Sequence, residues 1–416
     1  MKNIIKGIII FLLLPGTVFS IEWIPDRTKT EAETELGWLV APMPVNVEGI
    51  GFTVPIAGVF SNFYKTTDLL LVAPFIKGDI ESKLLSIYKL PLYQDSLFFT
   101  FNYYELLTGF RNYDRGIDSE ENDYYQTLEK TDSTTFRLQT QLWDQRFEFQ
   151  LGYSYGKADI QKIYDADGNY FSNIQSPERN WIDNIIGTQI DLTDNHFDPH
   201  QGFRLGLLHS STNYGPELLS DYAVNDLNAS FYFPFFKNDT LLFNYFQSQS
   251  VVTSSGTIDQ TILGQKLGLG CDLENKQKLC ETAENRRLQY WLERNKQGKA
   301  SALGGLNRLR AYSYNRFFAK NSVNYTLEYR LNFSEKTTPI NWIFLGGVKT
   351  VLQTAFFYES GGVSDDISKL NQNLRPSYGL GFRAIISSLI YRFDLAVGDD
   401  GSVSYTHLRA HETRNY

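Results

Sequence analysis

Apolar and polar residues alternate along many short segments of this chain. In residues 147–155, FEFQLGYSY, every odd position is aromatic or leucine and every even position is polar or glycine. Residues 323–333 and 389–397 repeat this two-residue period. Because successive side chains of a strand point to opposite faces, each segment predicts a β-strand with one apolar and one polar face. Similar segments lie near 97–104, 135–143, 185–193, 202–210, 227–235, 241–248, 351–359 and 376–386.

These segments have the length of strands that cross a membrane. Each is about nine to eleven residues long, which suits a tilted strand in a hydrocarbon layer. A soluble β-sandwich also alternates. Two features favour the membrane: the apolar face is rich in Phe, Tyr and Leu, and the opposite face carries Arg, Glu, Asp and Gln, which suit a water-filled interior.

The connections between the segments alternate in length. Long polar connections are predicted at about 110–132, 161–183, 211–222, 253–320 and 361–374. Short ones are predicted at 144–146, 194–201, 237–239, 334–341 and 387–388. This alternation of long and short connections predicts an all-β fold: a transmembrane antiparallel β-barrel with short turns at one end and long loops at the other. About fourteen strands can be read, and a fifteenth begins near Ser402.

Composition agrees with a β-rich membrane protein. Aromatic residues make up 15% of the chain, yet mean hydropathy is −0.30. After the first twenty residues no run of eighteen apolar residues occurs, so no membrane-spanning helix is predicted. The net charge of −8, without a dominant basic patch, argues against a nucleic-acid partner.

The first twenty residues predict export. Lys2 and Lys6 precede an apolar stretch at 8–14, a Pro-Gly break and Ser20, which is the pattern of a secretory signal peptide over 1–20. In an oxidising compartment Cys271 and Cys280 are expected to form a local disulfide, the alternative being two free thiols in a loop.

No pattern in the chain predicts a metal, a cofactor or an enzyme. His196 and His200 have the spacing of a helical metal pair, but Pro199 lies between them in a short turn. The acidic stretch 165–169 lacks the spacing of a calcium loop. No nucleophile elbow or phosphate-binding loop appears.

Residues 274–297 predict a strongly charged helix. Leu288, Trp291 and Leu292 form one short apolar strip on it. This strip could cap the barrel mouth, bind a partner or pack on its own loop.

Several short motifs follow one another in the second half of the chain. They are Asp198-Pro-His-Gln-Gly202, Gly304-Gly305, Arg310-Ala311-Tyr312, Glu328-Tyr-Arg330, Phe357-Tyr-Glu359-Ser-Gly361 and Gly379-Leu-Gly-Phe-Arg383. In this order they resemble the barrel of BamA/TamA-type outer-membrane proteins, also called bacterial surface antigens. The resemblance covers 49–405 and is strongest after residue 300.

The resemblance implies about sixteen strands and a long loop whose tip folds into the lumen. Its Arg-Gly-Phe/Tyr motif corresponds to Arg310, Ala311 and Tyr312, with Ala311 in place of glycine. The implied loop–wall lock joins Arg310 to Glu328 and to Glu359, which replaces an aspartate. The supporting residues of this lock are Gly304, Gly305, Tyr312 and Arg383.

Two points about the lock stay open on the sequence alone. Glu359 shares the strand face of Phe357, so a bulge near Ser360 and Gly361 is expected to re-aim its carboxylate. Alternatively, Arg310 is one more charge in a hydrated pore.

The sequence divides into four regions. Residues 1–20 are the signal peptide, 21–48 a short N-terminal segment, 49–405 the barrel and 406–416 an atypical, charged tail that is a candidate for non-native sequence. Residues 21–48 are too short for one of the soluble POTRA domains that precede the barrel in the family's insertases, so the resemblance is to a POTRA-less barrel.

The implied function is assembly, insertion or translocation of proteins at the outer membrane of a Gram-negative-type bacterium. The expected partners are outer-membrane lipid, unfolded outer-membrane proteins and a separate periplasmic POTRA-bearing protein, and the barrel is expected to be a monomer. The alternative is a passive pore or surface antigen without insertase activity, which the short N-terminal segment favours.

Overall fold

The fold is known from a computed structural model. It describes residues 24–27, 37–42, 44–47, 51–54, 56–61, 70–72, 75–76, 81–93, 96–171, 178–196, 198–215, 218–236, 239–271, 277–343, 345–386 and 389–410. The predicted signal peptide, 1–20, and the last six residues of the predicted tail, 411–416, lie outside these ranges.

The described residues are mostly β and form one antiparallel sheet. Its strands are β1 (Gly37–Pro42), β2 (Val45–Val47), β3 (Gly51–Thr53), β4 (Ile56–Ser61), β5 (Leu70–Val72), β6 (Phe75–Ile76), β7 (Glu81–Tyr93), β8 (Leu97–Tyr113), β9 (Tyr124–Leu142), β10 (Phe147–Asp165), β11 (Tyr170–Phe171), β12 (Arg179–Thr193), β13 (Gly202–Asn213), β14 (Asp221–Pro234), β15 (Thr240–Ser254), β16 (Asn321–Trp342), β17 (Leu345–Ser364), β18 (Arg375–Ile386), β19 (Leu389–Gly398) and β20 (Gly401–Ala410). The helices are α1 (Gln260–Leu267), α2 (Gln277–Gln297) and a 3-10 turn at Ile367–Lys369. No described helix is long and apolar enough to cross a membrane.

The long strands run up and down in sequence order. From β7 to β20, thirteen strands of ten or more residues each pair with the next, and the two-residue β11 adds to the end of β10. The six short segments before β7 make three further strands. β1 and β2 form one strand and β3 and β4 the next, because the β1–β4 and β2–β3 pairs share one register. β5 and β6 form the third strand, because both pair with β7 in one register. This agrees with the predicted β-barrel fold of about sixteen strands.

The two faces of the sheet reverse the burial pattern of a soluble protein. On β10 the side chains of Glu148 and Gln150 are 7% and 3% exposed, whereas those of Leu151 and Tyr153 are 46% and 44% exposed. Apolar side chains therefore face outwards and polar ones face inwards. That arrangement is stable where the outer face meets hydrocarbon and the inner face lines a polar lumen.

Several strands are longer than the sequence predicts. Strands β8 to β12 extend over about half of the predicted loops at 110–132 and 161–183. β16 continues through the predicted turn at 334–341 to Trp342. Two-residue alternation marks the part of a strand that has one apolar and one polar face, and it fades towards the strand ends although backbone pairing continues.

The last strand also passes its predicted end. β20 pairs with β19 from Gly401 to Ala410, five residues beyond Tyr405. Residues 406–410, predicted to be an atypical tail, are therefore paired as strand. Ladder hydrogen bonds come from the backbone, so charged side chains do not prevent the pairing.

A helical cap covers one end of the sheet. Trp291 and Leu292 of α2 are buried in an apolar cluster with Leu263 of α1 and with Tyr125 and Ile163 of the strand extensions. The strip predicted at 288–292 thus packs on β9 and β10, beyond its own loop. Within the cap, Cys271 and Cys280 form a disulfide with a Cα–Cα distance of 5.4 Å.

The first and last strands meet over a short length. β19 and β20 share ten residue pairs, but β20 and β2 share one described pair, Asn46 with Thr406. β1, which belongs to the same N-terminal strand as β2, instead pairs with β17, through Trp38 and Leu39.

Candidate functional site

The plug segment, residues 302–317, doubles back on itself at two glycines. Leu303 and Phe317 pair across its base. Gly304 and Gly305 have φ angles of 99° and 109°, in a backbone region that residues other than glycine rarely adopt. A Cβ on Gly304 would lie 2.3 Å from the carbonyl oxygen of Ser313. The glycine pair therefore allows the close reversal that carries the tip of the plug inwards.

At this tip Arg310 binds the wall strand β17. Its backbone N–H donates to Glu359 Oε2 at 2.7 Å, and its Nε donates to Glu359 Oε1 at 3.0 Å. Arg310 is 2% exposed and Glu359 is fully buried. A buried cation and carboxylate stabilise each other only with such close and directional contacts.

Arg310 also binds Glu328 on β16, and Glu328 binds two further arginines. Nη2 of Arg310 donates to Glu328 Oε2 at 3.1 Å. The other carboxylate oxygen accepts from Arg330 Nε at 2.8 Å and from Arg383 Nη2 at 2.7 Å. Glu328 thus connects the plug to β16 and β18 at a single carboxylate.

The expected bulge at Ser360 and Gly361 is not needed. Both residues pair in continuous register with β16, and Glu359 points inwards because its whole strand face does. Phe357, on the same face, is 5% exposed, and the centre of its ring lies 3.4 Å from Cζ of Arg310. The aromatic residue therefore forms a stacking surface for the guanidinium inside the lumen.

The residues after Arg310 bind strands β18 to β20. The N–H of Ala311 donates to Ser377 Oγ at 3.0 Å, and that hydroxyl donates to Glu359 Oε2 at 3.2 Å. The Tyr312 hydroxyl donates to the carbonyl oxygen of Pro376 at 2.9 Å, and the Tyr405 hydroxyl donates to the carbonyl oxygen of Tyr312. The described residues with positive φ do not include Ala311, so the alanine that replaces the usual glycine fits its backbone.

The structure brings all seven predicted lock residues together and adds others. Ser377, Phe357, Tyr405 and Arg330 all take part, and Nη1 of Arg310 lies 3.8 Å from Asp394 Oδ1 on β19. Arg330 shares the inward face of Glu328, so strand parity could have identified it. The others come from distant strands, and sequence spacing gives no sign of their contacts.

A second arginine of the plug binds a different loop. Arg316, 1% exposed, donates to Asp400 Oδ2 at 2.8 Å and to the Ser119 carbonyl oxygen at 2.7 Å. The base of the plug is thereby fixed to the loop after β8 and to the turn between β19 and β20.

The inner charges form a structural clamp. Three carboxylates (Glu328, Glu359 and Asp394) face four guanidinium groups (Arg310, Arg330, Arg383 and Arg392). Because the charges nearly balance and each carboxylate oxygen of Glu328 and Glu359 accepts a hydrogen bond, the cluster suits holding the loop to the wall.

The two histidines of the predicted turn have separate partners. Nδ1 of His196 lies 2.9 Å from Asp191 Oδ2, and Nε2 of His200 lies 3.0 Å from the Asn332 side-chain amide. Among the described residues no three His, Cys, Asp or Glu side chains are grouped to hold a metal ion.

Comparison with known proteins identifies the fold. No protein-family model and no curated protein matches the chain. CdiB from Escherichia coli is similar over 92% of this chain and 66% of its own, with a TM-score of 0.50 and 11% identity. BamA from Haemophilus ducreyi lacking POTRA domains 1–3 matches over 90% of this chain and 70% of its own, with a TM-score of 0.48 and 12% identity.

A third solved structure is similar to this chain to about the same degree. CdiB from Acinetobacter baumannii is similar over 90% of this chain, with a TM-score of 0.48 and 10% identity. The chain spans 66% and 59% of the lengths of the two CdiB proteins. At these identities the similarity describes the fold alone, which is of the outer-membrane barrel type.

Proposed function

We propose that this chain inserts or translocates proteins at the bacterial outer membrane. The observation that carries the proposal is the plug tip, where Arg310 joins Glu359 and Glu328 inside a sheet of the outer-membrane barrel type. Its motifs stand in the order found in BamA/TamA-type barrels.

Location in a membrane is supported by the outward apolar side chains. Leu327, Phe356 and Tyr378, on three neighbouring strands, are 47%, 52% and 52% exposed. In water such a band would be an aggregation surface, whereas hydrocarbon covers it favourably. The proposed location is the outer membrane of a Gram-negative-type bacterium.

The short contact between first and last strands supplies a route for strand addition. Beyond Asn46 and Thr406, no further β2–β20 pair occurs among the described residues. A strand edge with unpaired N–H and C=O groups is a template for another strand. In this mechanism an incoming outer-membrane protein pairs with the edge of β20 or of the N-terminal strand.

The lock keeps the neighbouring wall rigid while the edge is open. Arg310 contacts β16 and β17 directly, and Ala311 contacts β18 through Ser377. These strands stand next to β19 and β20, so the plug holds the side of the sheet that carries the edge. The proposed partners are lipid, unfolded outer-membrane proteins and a separate POTRA-bearing protein; no enzymatic step is proposed.

Reconstitution in liposomes tests the proposal. Purified protein should accelerate folding of a model outer-membrane barrel over empty liposomes, and Arg310→Ala should remove most of the acceleration. Arg286→Ala is the matched control, because Arg286 of α2 forms a salt bridge with Asp123 of the loop before β9 and makes no described contact with the lock residues. No acceleration together with steady ion conductance would instead identify a passive pore.

A further inference from the structure

A second cavity lies outside the lock, between the cap, the plug and the wall. It is lined by strands β8, β9, β10 and β12, by α2 and by the end of the plug segment. Seven of its fifteen lining residues are aromatic, among them Trp181, Tyr290 and Tyr314. None of the lock residues borders it.

The charges of this chamber are unbalanced. Its cations are Arg111, Arg179 and Lys299, and its one carboxylate is Glu129. Glu129 is occupied by Arg179, whose Nη2 lies 2.7 Å from Oε2. The lining of the chamber therefore has two more cationic residues than carboxylates.

Lys299 is held by aromatic rings. Its Nζ lies 4.6 Å from the ring centre of Phe318 and 5.8 Å from that of Tyr290. No described carboxylate lies within 4.0 Å of the ammonium group. The ammonium group also hydrogen-bonds to the Tyr290 side chain. Because an ammonium group has three N–H donors, this bond leaves donors that can bind an anionic ligand.

The effect of the positive charge is visible at Tyr290. Burial raises the pKa of its phenol, but Lys299 and two nearby arginines outweigh burial and lower the pKa to about 8. A site that favours the phenolate also favours a bound anion.

The walls are amphipathic. Tyr and Trp rings offer an apolar face and a polar edge, and the amides of Asn112 and Asn315 stand among them. A purely apolar ligand would leave the buried hydroxyl of Tyr113, which has no hydrogen-bond partner among the described residues, unpaired, and this costs free energy. A ligand with C–H faces, hydroxyl groups and one negative charge matches all three properties of the chamber.

We propose that this chamber binds an acidic saccharide of the uronic-acid type, its carboxylate on Lys299 and its ring against the aromatic walls. The site lies under the cap and does not depend on the proposed protein-inserting function.

Calorimetry on the full chain in detergent micelles tests the proposal. Glucuronate is titrated against glucose, its neutral counterpart, and against benzoate, at matched ionic strength. A charge-assisted hydrogen bond to the carboxylate should make glucuronate bind at least about tenfold more tightly than glucose. Equal affinity for the two sugars, no heat with either, or benzoate binding as tightly as glucuronate would overturn the proposal.

Substitutions of Lys299 test whether the saccharide binds in this chamber. Lys299→Gln should weaken glucuronate binding by about tenfold or more, Lys299→Arg should retain it, and Lys266→Gln on the exposed face of α1 should leave it unchanged. The heat-shift of the folded barrel on gels shows that each variant is folded. A folded Lys299→Gln protein with unchanged affinity would contradict the site.

Discussion

At the residue scale, the fold depends on compensating one buried guanidinium. Arg310 is 2% exposed and contacts two carboxylates and an aromatic ring. Taking such a charge out of water is costly, and removing one partner of a buried pair typically destabilises a protein by about 3–5 kcal/mol. The stability of the lock should therefore depend on the particular geometry of the guanidinium group.

Arg310→Lys tests that geometry while keeping the charge. A single ammonium cannot reach Glu359 and Glu328 with the spacing of the guanidinium fork. Losing one charge-assisted hydrogen bond should lower the free energy of unfolding by about 2 kcal/mol. Urea unfolding in micelles, followed by tryptophan fluorescence, measures the change.

Arg286→Lys is the control for this substitution. Arg286 makes a part-exposed salt bridge with Asp123, and its replacement should change the unfolding free energy by less than about 1 kcal/mol. Equal losses in the two variants would mean that Arg310 is an ordinary lumen charge.

Gly304→Ala should detach the tip of the plug. The new Cβ would meet the Ser313 carbonyl oxygen at 2.3 Å, and the φ of 99° is itself unfavourable for alanine. Limited proteolysis of folded protein should cut within 302–317 faster than in the unmodified chain.

Gly116→Ala separates the two effects. Gly116 has a φ of 112°, but a Cβ there would have nothing within 4 Å. Its substitution adds backbone strain without a clash and should not expose the plug. Comparable plug cleavage in both variants would show that the contact with Ser313 is unimportant.

At the element scale, the cap is a packed unit with its own anchors. Arg294 of α2 donates to the Tyr222 hydroxyl at 2.8 Å, and Asn295 accepts from the Ser220 N–H at 2.9 Å. With the apolar cluster around Trp291, these contacts hold α2 to the strand extensions. The buried face of the helix therefore includes Arg287, Arg294 and Asn295 besides Trp291 and Leu292, and the apolar strip in the sequence marks only the last two of these five.

Replacing both cysteines of the cap by serine should loosen the cap alone. The disulfide joins residues nine apart, and closing a loop of this length stabilises by about 2–3 kcal/mol in the chain-entropy description. We expect faster proteolysis within 255–300 and an unchanged heat-shift of the barrel.

Reductant provides the control for this prediction. It should speed cleavage of the unmodified protein to the rate of the double-serine variant and leave that variant unaffected. Equal cleavage rates of the oxidised and serine proteins would show that the disulfide does not stabilise the cap.

Strand identity could be predicted from the sequence better than strand length. The alternation at 147–155 places Glu148 inside and Leu151 outside, as observed. The same signal could not predict that β9 and β10 continue as far as Tyr124 and Asp165. In these extensions side chains such as Tyr125 and Ile163 pack against the cap, so no regular apolar period marks them.

At the scale of the whole molecule, the candidate site combines near and remote residues. The motif order identified Arg310, Glu328 and Glu359, because family resemblance preserves spacing. It could not identify Ser377 or Tyr405, since their contacts depend on how the five strands β16 to β20 and a loop of more than sixty residues come together. The alternation of apolar and polar residues alone also gives the wrong face for Phe357: it predicts an outward ring, whereas the ring lies inside the lumen beside Arg310.

In the proposed function, proteins enter through the edge between the first and last strands. Asn46→Cys with Thr406→Cys places a cysteine on each side of the described β2–β20 pair. Opposed residues of antiparallel strands lie within disulfide reach. The background carries serine at 271 and 280, so that oxidant and reductant act on the new pair alone.

The decisive measurement is the rate at which this variant inserts a model barrel into liposomes, oxidised and then reduced. Insertion should fall to the level of empty liposomes when the new disulfide forms and recover on reduction. The single-cysteine variants should insert normally under both conditions. Full insertion by the oxidised protein would contradict entry through this edge.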